Sequence, residues 1–215
     1  MESPFPEPVP AGTRLIETFG WWPGEGARAL TAHLARMARS AAALGFSFDE
    51  GAARTMVDGV TGTGPLRCRL SLGVVGDLDL AAVPLPPAPD RPWRVAIHPD
   101  RLRSSDPWLA HKTTNRAFYD QARAALPGGV DEYLFFNERD EACEGTIANL
   151  FVLLADGCKV TPPLAAGLLP GILRGRLLNS GAVSETTVTL DMLSAARAIH
   201  FGNSLRGEIP AQLLI

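Results

Sequence analysis

The chain has 215 residues, with 20 basic and 23 acidic side chains and a hydrophobic fraction of 46%. This length and composition predict a soluble globular protein of one large or two small domains, and they exclude a fibre, a collagen-like repeat and a disordered chain. Basic residues form no stripe along the sequence, so nucleic-acid binding is not predicted. No apolar stretch approaches the roughly 20 residues that a membrane-spanning helix needs.

The cysteines and the N-terminus favour a cytoplasmic protein. Cys68, Cys143 and Cys158 are scattered and odd in number, which argues against a disulfide framework and favours a reducing compartment. The first ten residues, MESPFPEPVP, are acidic and rich in proline, unlike a signal peptide. Residues 1–11 are therefore expected to form a loosely packed lead-in.

The first half of the chain mixes predicted strands and helices. In chain order they are a strand at 13–22, a helix at 30–44, a helix after Asp49, and strands at 65–73 and 78–85. The first helix is indicated by apolar residues at helical spacing and ends at Gly45, and Asp49 is a good N-cap residue. The proline-rich segment 86–92 predicts a domain boundary.

The second half has the same mixed character. Its predicted elements are strands at 93–97 and 131–137, a helix at 115–126, a hairpin at 149–161, a helix at 168–181, and strands near 184–190 and 198–210. Pro170 suits the first helical position of the helix at 168–181. The pattern predicts an α+β protein with a small N-terminal lobe, residues 1–88, and a larger C-terminal lobe, residues 89–215.

Several familiar site motifs are absent from the sequence. It has no GxGxxG, no phosphate-binding GxxxxGK[ST], no HExxH and no CxxC. The four histidines lack metal-ligand spacing, so no metal site is predicted. A GxSxG nucleophile turn is also missing, which argues against a serine hydrolase.

Three weaker features point to one chemistry when they are taken together. Lys112 precedes a helix, residues 168–173 form a glycine-bearing turn that opens a helix, and Glu144 lies in a predicted glycine-containing turn. Each feature alone is also typical of a solvated loop or an ordinary helix start. A nucleophilic lysine, an anion site at a helix N-terminus and a carboxylate are together what pyridoxal phosphate requires.

The chain resembles the class IV aminotransferase family (fold type IV pyridoxal phosphate enzymes), and within it the 4-amino-4-deoxychorismate lyase branch. Six segments carry the resemblance, in family order: 16–21, 33–50, 111–122, 131–152, 161–178 and 202–207. The resemblance implies a two-lobed fold like that of D-amino-acid aminotransferase, with a smaller α/β N-terminal lobe and a larger barrel-like C-terminal lobe that binds the cofactor. It implies a homodimer as well, with aminodeoxychorismate synthase as a possible functional partner.

The resemblance also assigns site residues. Lys112 matches the Schiff-base lysine, Glu144 matches the acid that faces the pyridine nitrogen, and Arg36 matches a phosphate-binding arginine, although its position off the apolar stripe would make it solvated. The remaining assignments are the phosphate cradle Gly171, Ile172 and Leu173; the phosphate or substrate contacts Asn203 and Ser204; and the substrate-lining residues Glu17, Thr18, Arg67 and Arg69. Two arginines on one strand face suit a dicarboxylate substrate, and they equally suit a solvated outer face.

Two departures from the family pattern favour a lyase over a transaminase. Little sequence precedes the segment at 16–21, where other members often supply an active-site aromatic. Transaminases usually carry a tyrosine five residues after the lysine, where this chain has Ala117, and the nearest tyrosine is Tyr119. The expected activity is therefore conversion of 4-amino-4-deoxychorismate to 4-aminobenzoate and pyruvate. A transaminase for branched-chain or D-amino acids and a non-catalytic cofactor-binding paralogue remain as alternatives.

Overall fold

The computed structural model describes residues 8–214, which divide into two compact units. The first unit comprises residues 8–87 and 111–115, and the second comprises residues 88–110 and 116–214. Most of the predicted lead-in lies outside the described residues. The sequence places 111–115 in the C-terminal lobe, whereas the structure groups them with the first unit. The reason is a backbone pairing of Thr113 with Leu15, in the first strand of that unit.

The first unit is a four-stranded antiparallel sheet with two helices. Its elements are β1 (Leu15–Trp22), β2 (Gly26–Ala27), α1 (Leu30–Leu44), α2 (Glu50–Asp58), β3 (Leu66–Leu72) and β4 (Leu78–Pro84). The strand order is β2-β1-β3-β4. Both predicted helix boundaries are confirmed: Gly45 ends α1 in a left-handed conformation (φ 74°), and the Asp49 side chain accepts a hydrogen bond from the Ala52 N–H at 2.9 Å.

The second unit contains a closed barrel. Its elements are β5 (Trp93–Leu102), α3 (Ala117–Ala124), β6 (Glu132–Asn137), β7 (Ala142–Gly145), β8 (Asn149–Leu153), β9 (Lys159–Thr161), α4 (Ile172–Asn179), β10 (Ser184–Glu185), α5 (Leu190–Ser194), β11 (Ala198–Asn203) and β12 (Gly207–Leu214). Six strands run in the order β8-β11-β12-β5-β6-β7, and β7 pairs back with β8 to close the ring. The predicted α+β fold with a barrel-like second lobe is confirmed.

The barrel core follows from the alternation of apolar residues along its strands. Leu150 and Val152 of β8 are fully buried in one cluster with Phe201 of β11 and Leu134 of β6.

The second unit also has two short 3₁₀ segments, at Pro107–Ala110 and Leu164–Ala166. Within residues 8–214, no helix has the length and apolar character needed to cross a membrane.

Two local expectations differ from the structure. The helix predicted from Pro170 begins at Ile172, with Gly171 as its N-cap. The strand predicted at 184–190 is confined to Ser184–Glu185, and the next residues lead into α5, whose N-cap Thr189 accepts from the Met192 N–H. The β-prone run before α5 concealed that cap, because local β-propensity depends strongly on context.

Candidate functional site

The backbone around Lys112 is held by the edge of β1. The Ile16 N–H donates to the Lys112 carbonyl at 2.9 Å, and the Thr114 N–H donates to the Arg14 carbonyl at 2.9 Å. These bonds place Thr113 opposite Leu15. Because side chains alternate along extended backbone, Lys112 shares the opposite sheet face, that of Ile16 and Thr18.

The same sheet face carries the two predicted substrate arginines. In the β1–β3 ladder Thr18 lies opposite Arg69 and Gly20 lies opposite Arg67, and residues that oppose each other point to the same side. Arg67 and Arg69 are exposed. We call this side of the sheet the lysine face: Ile16, Thr18, Arg67, Arg69 and Lys112. From strand spacing, the Cα atoms of Lys112 and Arg69 lie roughly 12 Å apart.

Glu17 points to the other side of β1, toward α1. Its carboxylate is 1% exposed and accepts two hydrogen bonds from Arg36, Nε to Oε1 at 2.8 Å and Nη2 to Oε2 at 2.6 Å. His33 Nδ1 lies 2.6 Å from the same Oε2. The prediction that Glu17 lines the substrate beside Thr18 is corrected, because the two side chains occupy opposite faces and Glu17 is buried against Arg36.

Arg36 is buried rather than solvated. Its position on α1 lies off the apolar stripe, yet its side chain is 5% exposed, because Glu17 supplies a buried opposite charge. Burial raises the pKa of Glu17, but the charge of Arg36 and the hydrogen bonds from His33 and Arg36 outweigh burial and lower this pKa to about 2. The phosphate-binding role of Arg36 stays a prediction.

Glu144 lies on a barrel strand of the second unit. Sequence placed it in a turn, whereas the structure places it on β7, 6% exposed and paired with Asn149 of β8. The Tyr119 hydroxyl donates to Glu144 Oε1 at 3.0 Å, and Asn149 Nδ2 donates to Oε2 at 3.2 Å. Both carboxylate oxygens therefore accept a hydrogen bond.

The turn that follows Glu144 is anchored by charged side chains. The buried carboxylate of Glu132 accepts the Thr146 N–H at 3.0 Å and the Thr146 hydroxyl at 2.5 Å, and Arg116 Nη2 donates to the Thr146 carbonyl at 2.8 Å. Burial raises the pKa of Glu132. Gly145 is needed here, because a Cβ at that position would lie 2.9 Å from Glu132 Cγ. The close packing fixes the backbone next to Glu144.

Asn149 connects Glu144 to the first turn of α4. Besides its bond to Glu144, Asn149 Nδ2 donates to the Leu169 carbonyl at 3.0 Å, and a Cβ at Gly171 would lie 1.9 Å from Asn149 Oδ1. The chain therefore enters α4 directly against Asn149. The N–H groups of the first helical turn are not used within a helix and can receive an anion. Sequence reasoning missed Asn149. The feature that indicates it is the polar residue at the first position of an otherwise apolar strand.

Asn203 and Ser204 lie at the turn between β11 and β12. Asn203 Nδ2 donates to the Ile147 carbonyl at 3.2 Å, and Asn203 Oδ1 accepts from the N–H groups of Leu205 and Arg206 at 3.0 and 2.9 Å. The Asn203 side chain thus shapes its own turn and binds the turn after Glu144. Cofactor or substrate contact by these two residues stays a prediction. Within residues 8–214, no cluster of three or more histidine, cysteine or acidic side chains is arranged to hold a metal ion.

Comparisons with known proteins agree on one family. The family model described as amino-transferase class IV matches residues 14–214. A Schizosaccharomyces pombe protein named "Putative aminodeoxychorismate lyase" is 30% identical over 86% of this chain and 84% of its own length. A solved structure from Mesorhizobium loti, named "Putative amino-acid aminotransferase", has a TM-score of 0.89 and 42% identity over 94% of this chain and 100% of that one. A Legionella pneumophila structure named "Putative 4-amino-4-deoxychorismate lyase" has a TM-score of 0.80 and 25% identity over 94% and 82%.

Proposed function

Because the chain belongs to the class IV aminotransferase family, we propose that it is a pyridoxal phosphate-dependent lyase that converts 4-amino-4-deoxychorismate to 4-aminobenzoate and pyruvate. The names of the Schizosaccharomyces pombe relative and the Legionella pneumophila structure support this reaction. The observation that carries the cofactor assignment is the link that Asn149 makes between Glu144 and the entry to α4.

The residues of the second unit fit the chemistry of pyridoxal phosphate. A protonated pyridine nitrogen needs a buried anion, and Glu144 is a buried carboxylate with donors on both oxygens. A phosphate group needs donors without a side chain in the way, and α4 opens at Gly171 with the N–H groups of Ile172 and Leu173 in its first turn. We propose that Leu173 contributes only backbone, since its side chain is buried with Phe151 and Val183.

Lys112 is the proposed catalytic residue. Bound pyridoxal phosphate would supply an electron-accepting ring that stabilises negative charge at the substrate carbon bearing the amine. The amino group of Lys112 would hold the cofactor in the resting enzyme and would be freed when the substrate amine takes its place. It would then remove the proton from that carbon, and it would return a proton as the C–O bond between the ring and the enolpyruvyl group breaks and pyruvate leaves. Glu144 would keep the proton on the pyridine nitrogen of the bound cofactor. Aromatisation of the substrate ring drives the release.

The lysine face supplies the proposed substrate contacts. The substrate carries two carboxylates, and Arg67 and Arg69 project from one strand face about 7 Å apart by strand rise. Each guanidinium can bind a carboxylate through two parallel hydrogen bonds. Thr18, directly opposite Arg69, adds a hydroxyl on the same face. A dicarboxylate would thus be drawn to the sheet face from which Lys112 projects.

Covalent trapping tests the cofactor assignment. The chain has two lysines, Lys112 and Lys159, and Lys159 is ion-paired with Glu208 on the barrel. Protein incubated with pyridoxal phosphate and reduced with borohydride should carry the cofactor on the peptide that contains Lys112. Lys159→Ala should be labelled like the wild type, and Lys112→Ala should not be labelled. A label on Lys159, or none in the wild type, would overturn the assignment.

A transaminase is the second candidate. The Mesorhizobium loti structure, 42% identical, has a name that refers to amino-acid transamination. Ala117 stands where transaminases usually carry a tyrosine, which favours the lyase. A panel of branched-chain and D-amino acids with 2-oxoglutarate distinguishes the two, since a transaminase forms glutamate and a lyase forms none. Cofactor binding without either product would identify a non-catalytic paralogue.

A further inference from the structure

Tyr119 is a half-buried hydrogen-bond donor to the acid of the proposed site. The residue lies on α3, and its hydroxyl is 3.0 Å from Glu144 Oε1. Its ring packs edge-on against Phe135, with ring centres 5.2 Å apart, and near-perpendicular to Phe118 at 6.0 Å. Rings on two sides restrict the side chain, so the hydroxyl is aimed at Glu144 before any ligand arrives.

The Tyr119 hydroxyl keeps its proton in this pair. Burial, together with the neighbouring charge of Glu144 and the hydrogen bond to it, raises the pKa of Tyr119 well above its usual value. The hydroxyl thus remains a donor throughout the neutral range. An ionised carboxylate can accept the hydrogen bonds from both Tyr119 and Asn149. A protonated carboxyl group would carry its own hydrogen on an oxygen that already faces one of these donors. Both partners consequently favour ionised Glu144.

We propose that Tyr119 is a positioning residue, whose hydroxyl holds Glu144 ionised and oriented for the pyridine nitrogen of the cofactor. This inference rests on the proposed function, since it assigns Tyr119 a role through Glu144. Family resemblance places a transaminase tyrosine five residues after the lysine and near the phenol oxygen of the cofactor. Here the tyrosine comes seven residues after Lys112 and binds the acid instead.

Other charged and titratable groups surround this contact and must be held constant in any test. Arg116, just before α3, and Cys143 of β7 both act electrostatically on Tyr119. Glu132 and Arg123 bind Thr146, two residues after Glu144. Replacing Tyr119 with phenylalanine removes one oxygen and leaves all of these groups, and the aromatic packing, in place.

The chain supplies its own matched control, because it has two tyrosines, Tyr119 and Tyr133. Tyr133 lies in the same unit and also packs near Phe135, at 6.5 Å between ring centres. The dissociation constant of pyridoxal phosphate is measured by absorbance titration from about pH 5 to pH 9 for the wild type, Tyr119→Phe and Tyr133→Phe. We expect Tyr119→Phe to shift the acid-side midpoint of binding upward by about one pH unit, a tenfold change in proton affinity. Tyr133→Phe should match the wild type.

A second variant gives a shift of the opposite sign. Growth of Tyr133→Phe protein on 3-fluorotyrosine places the fluorinated ring at Tyr119 alone. Its more acidic hydroxyl is a stronger donor, so the midpoint should move below that of the unlabelled Tyr133→Phe protein. A purely structural role for Tyr119 predicts no shift from this isosteric change.

The outcomes separate failure of the inference from failure of the proposed function. If Glu144→Gln weakens pyridoxal phosphate binding while the midpoints of Tyr119→Phe and the fluorinated protein stay at their controls, the role of Tyr119 is refuted and the proposed function stands. If Glu144→Gln binds the cofactor as tightly as the wild type, or the wild type binds none, the cofactor assignment itself fails.

Discussion

Glu17 and Arg36 illustrate how two charged side chains become buried together. Each oxygen of Glu17 faces a guanidinium nitrogen, and His33 adds a third contact. Removing a charge from water is costly, and the cost is offset only when the partner and its hydrogen bonds are well placed. Loss of one partner leaves the other buried without compensation. The stabilising effect of this contact therefore depends on the presence of both partners, not on any single hydrogen bond.

Substitution of Glu17 tests this interpretation. Glu17→Gln should lower the free energy of unfolding at pH 7 by about 3 kcal/mol, because Arg36 loses its buried counter-charge. The matched control is Glu25→Gln, which removes an exposed ion pair with Arg28 and should cost about 1 kcal/mol or less. Urea unfolding measures both variants. Equal losses in the two proteins would contradict the buried pair.

The same variant predicts a pH dependence. The pKa of Glu17 is about 2 in the folded protein, below its ordinary value of 4.5, so the folded state binds this proton less tightly than the unfolded state. Its stabilising contribution is thus complete above about pH 4.5 and is lost as the pH falls toward 2. The difference in unfolding free energy between the wild type and Glu17→Gln should shrink over that window. A difference that stays constant down to pH 2 would refute the assigned pKa.

Arg67 and Arg69 allow the substrate contacts to be tested singly. If each guanidinium binds one carboxylate of the substrate, Arg67→Gln and Arg69→Gln should each raise KM for aminodeoxychorismate at least tenfold with little change in kcat. Arg54→Gln, on α2 and paired with Glu50, is the exposed control. Unchanged KM in both variants would mean that the arginines form a solvated outer face.

At the scale of elements, the start of α4 depends on a glycine. Gly171 has an ordinary backbone conformation (φ −66°), so the requirement comes from close packing against Asn149 rather than from strain. A side chain there would move either Asn149 or the first turn of the helix. Since Asn149 also binds Glu144, one small residue affects both proposed cofactor contacts.

Two glycines of one segment provide a matched comparison. Gly171→Ala should weaken pyridoxal phosphate binding by tenfold or more, because the new Cβ would fall 1.9 Å from Asn149 Oδ1. Gly175→Ala, on the same helix with open space around its Cα, should bind the cofactor normally and gain about 0.5–1 kcal/mol of stability. Fluorescence titration with pyridoxal phosphate, alongside thermal unfolding, checks both. Normal binding by Gly171→Ala would remove α4 from the proposed cradle.

Local patterns predicted most elements, and their failures have physical causes. A helix cap such as Asp49 is a local sequence feature, so the sequence alone predicts it. Glu144 was assigned to a turn because its glycine neighbour is typical of turns, whereas barrel closure draws it into β7. The burial of Arg36 depends on Glu17, nineteen residues away, and helical periodicity carries no information about such a partner. The role of Asn149 was missed because it depends on Leu169 and Gly171, which lie about twenty residues further along the chain.

At the scale of the whole molecule, residues 14–214 follow one known architecture. The family model covers residues 14–214, and the six-stranded barrel of the second unit closes as the resemblance implies. The sequence predicts that Lys112 belongs to the C-terminal lobe. Backbone hydrogen bonds to β1 instead attach residues 111–115 to the first unit. Sequence order alone could not predict that attachment, because it depends on hydrogen bonds between segments about 100 residues apart.

Pyruvate release tests the central claim most directly. Purified protein loaded with pyridoxal phosphate is mixed with 4-amino-4-deoxychorismate, and pyruvate is followed by coupled reduction to lactate while 4-aminobenzoate is measured by its fluorescence. We expect both products in equal amounts from the wild type and from Lys159→Ala, and none above background from Lys112→Ala. Product formation by Lys112→Ala at the wild-type rate, or no pyruvate from wild-type protein that binds the cofactor, would contradict the proposed lyase.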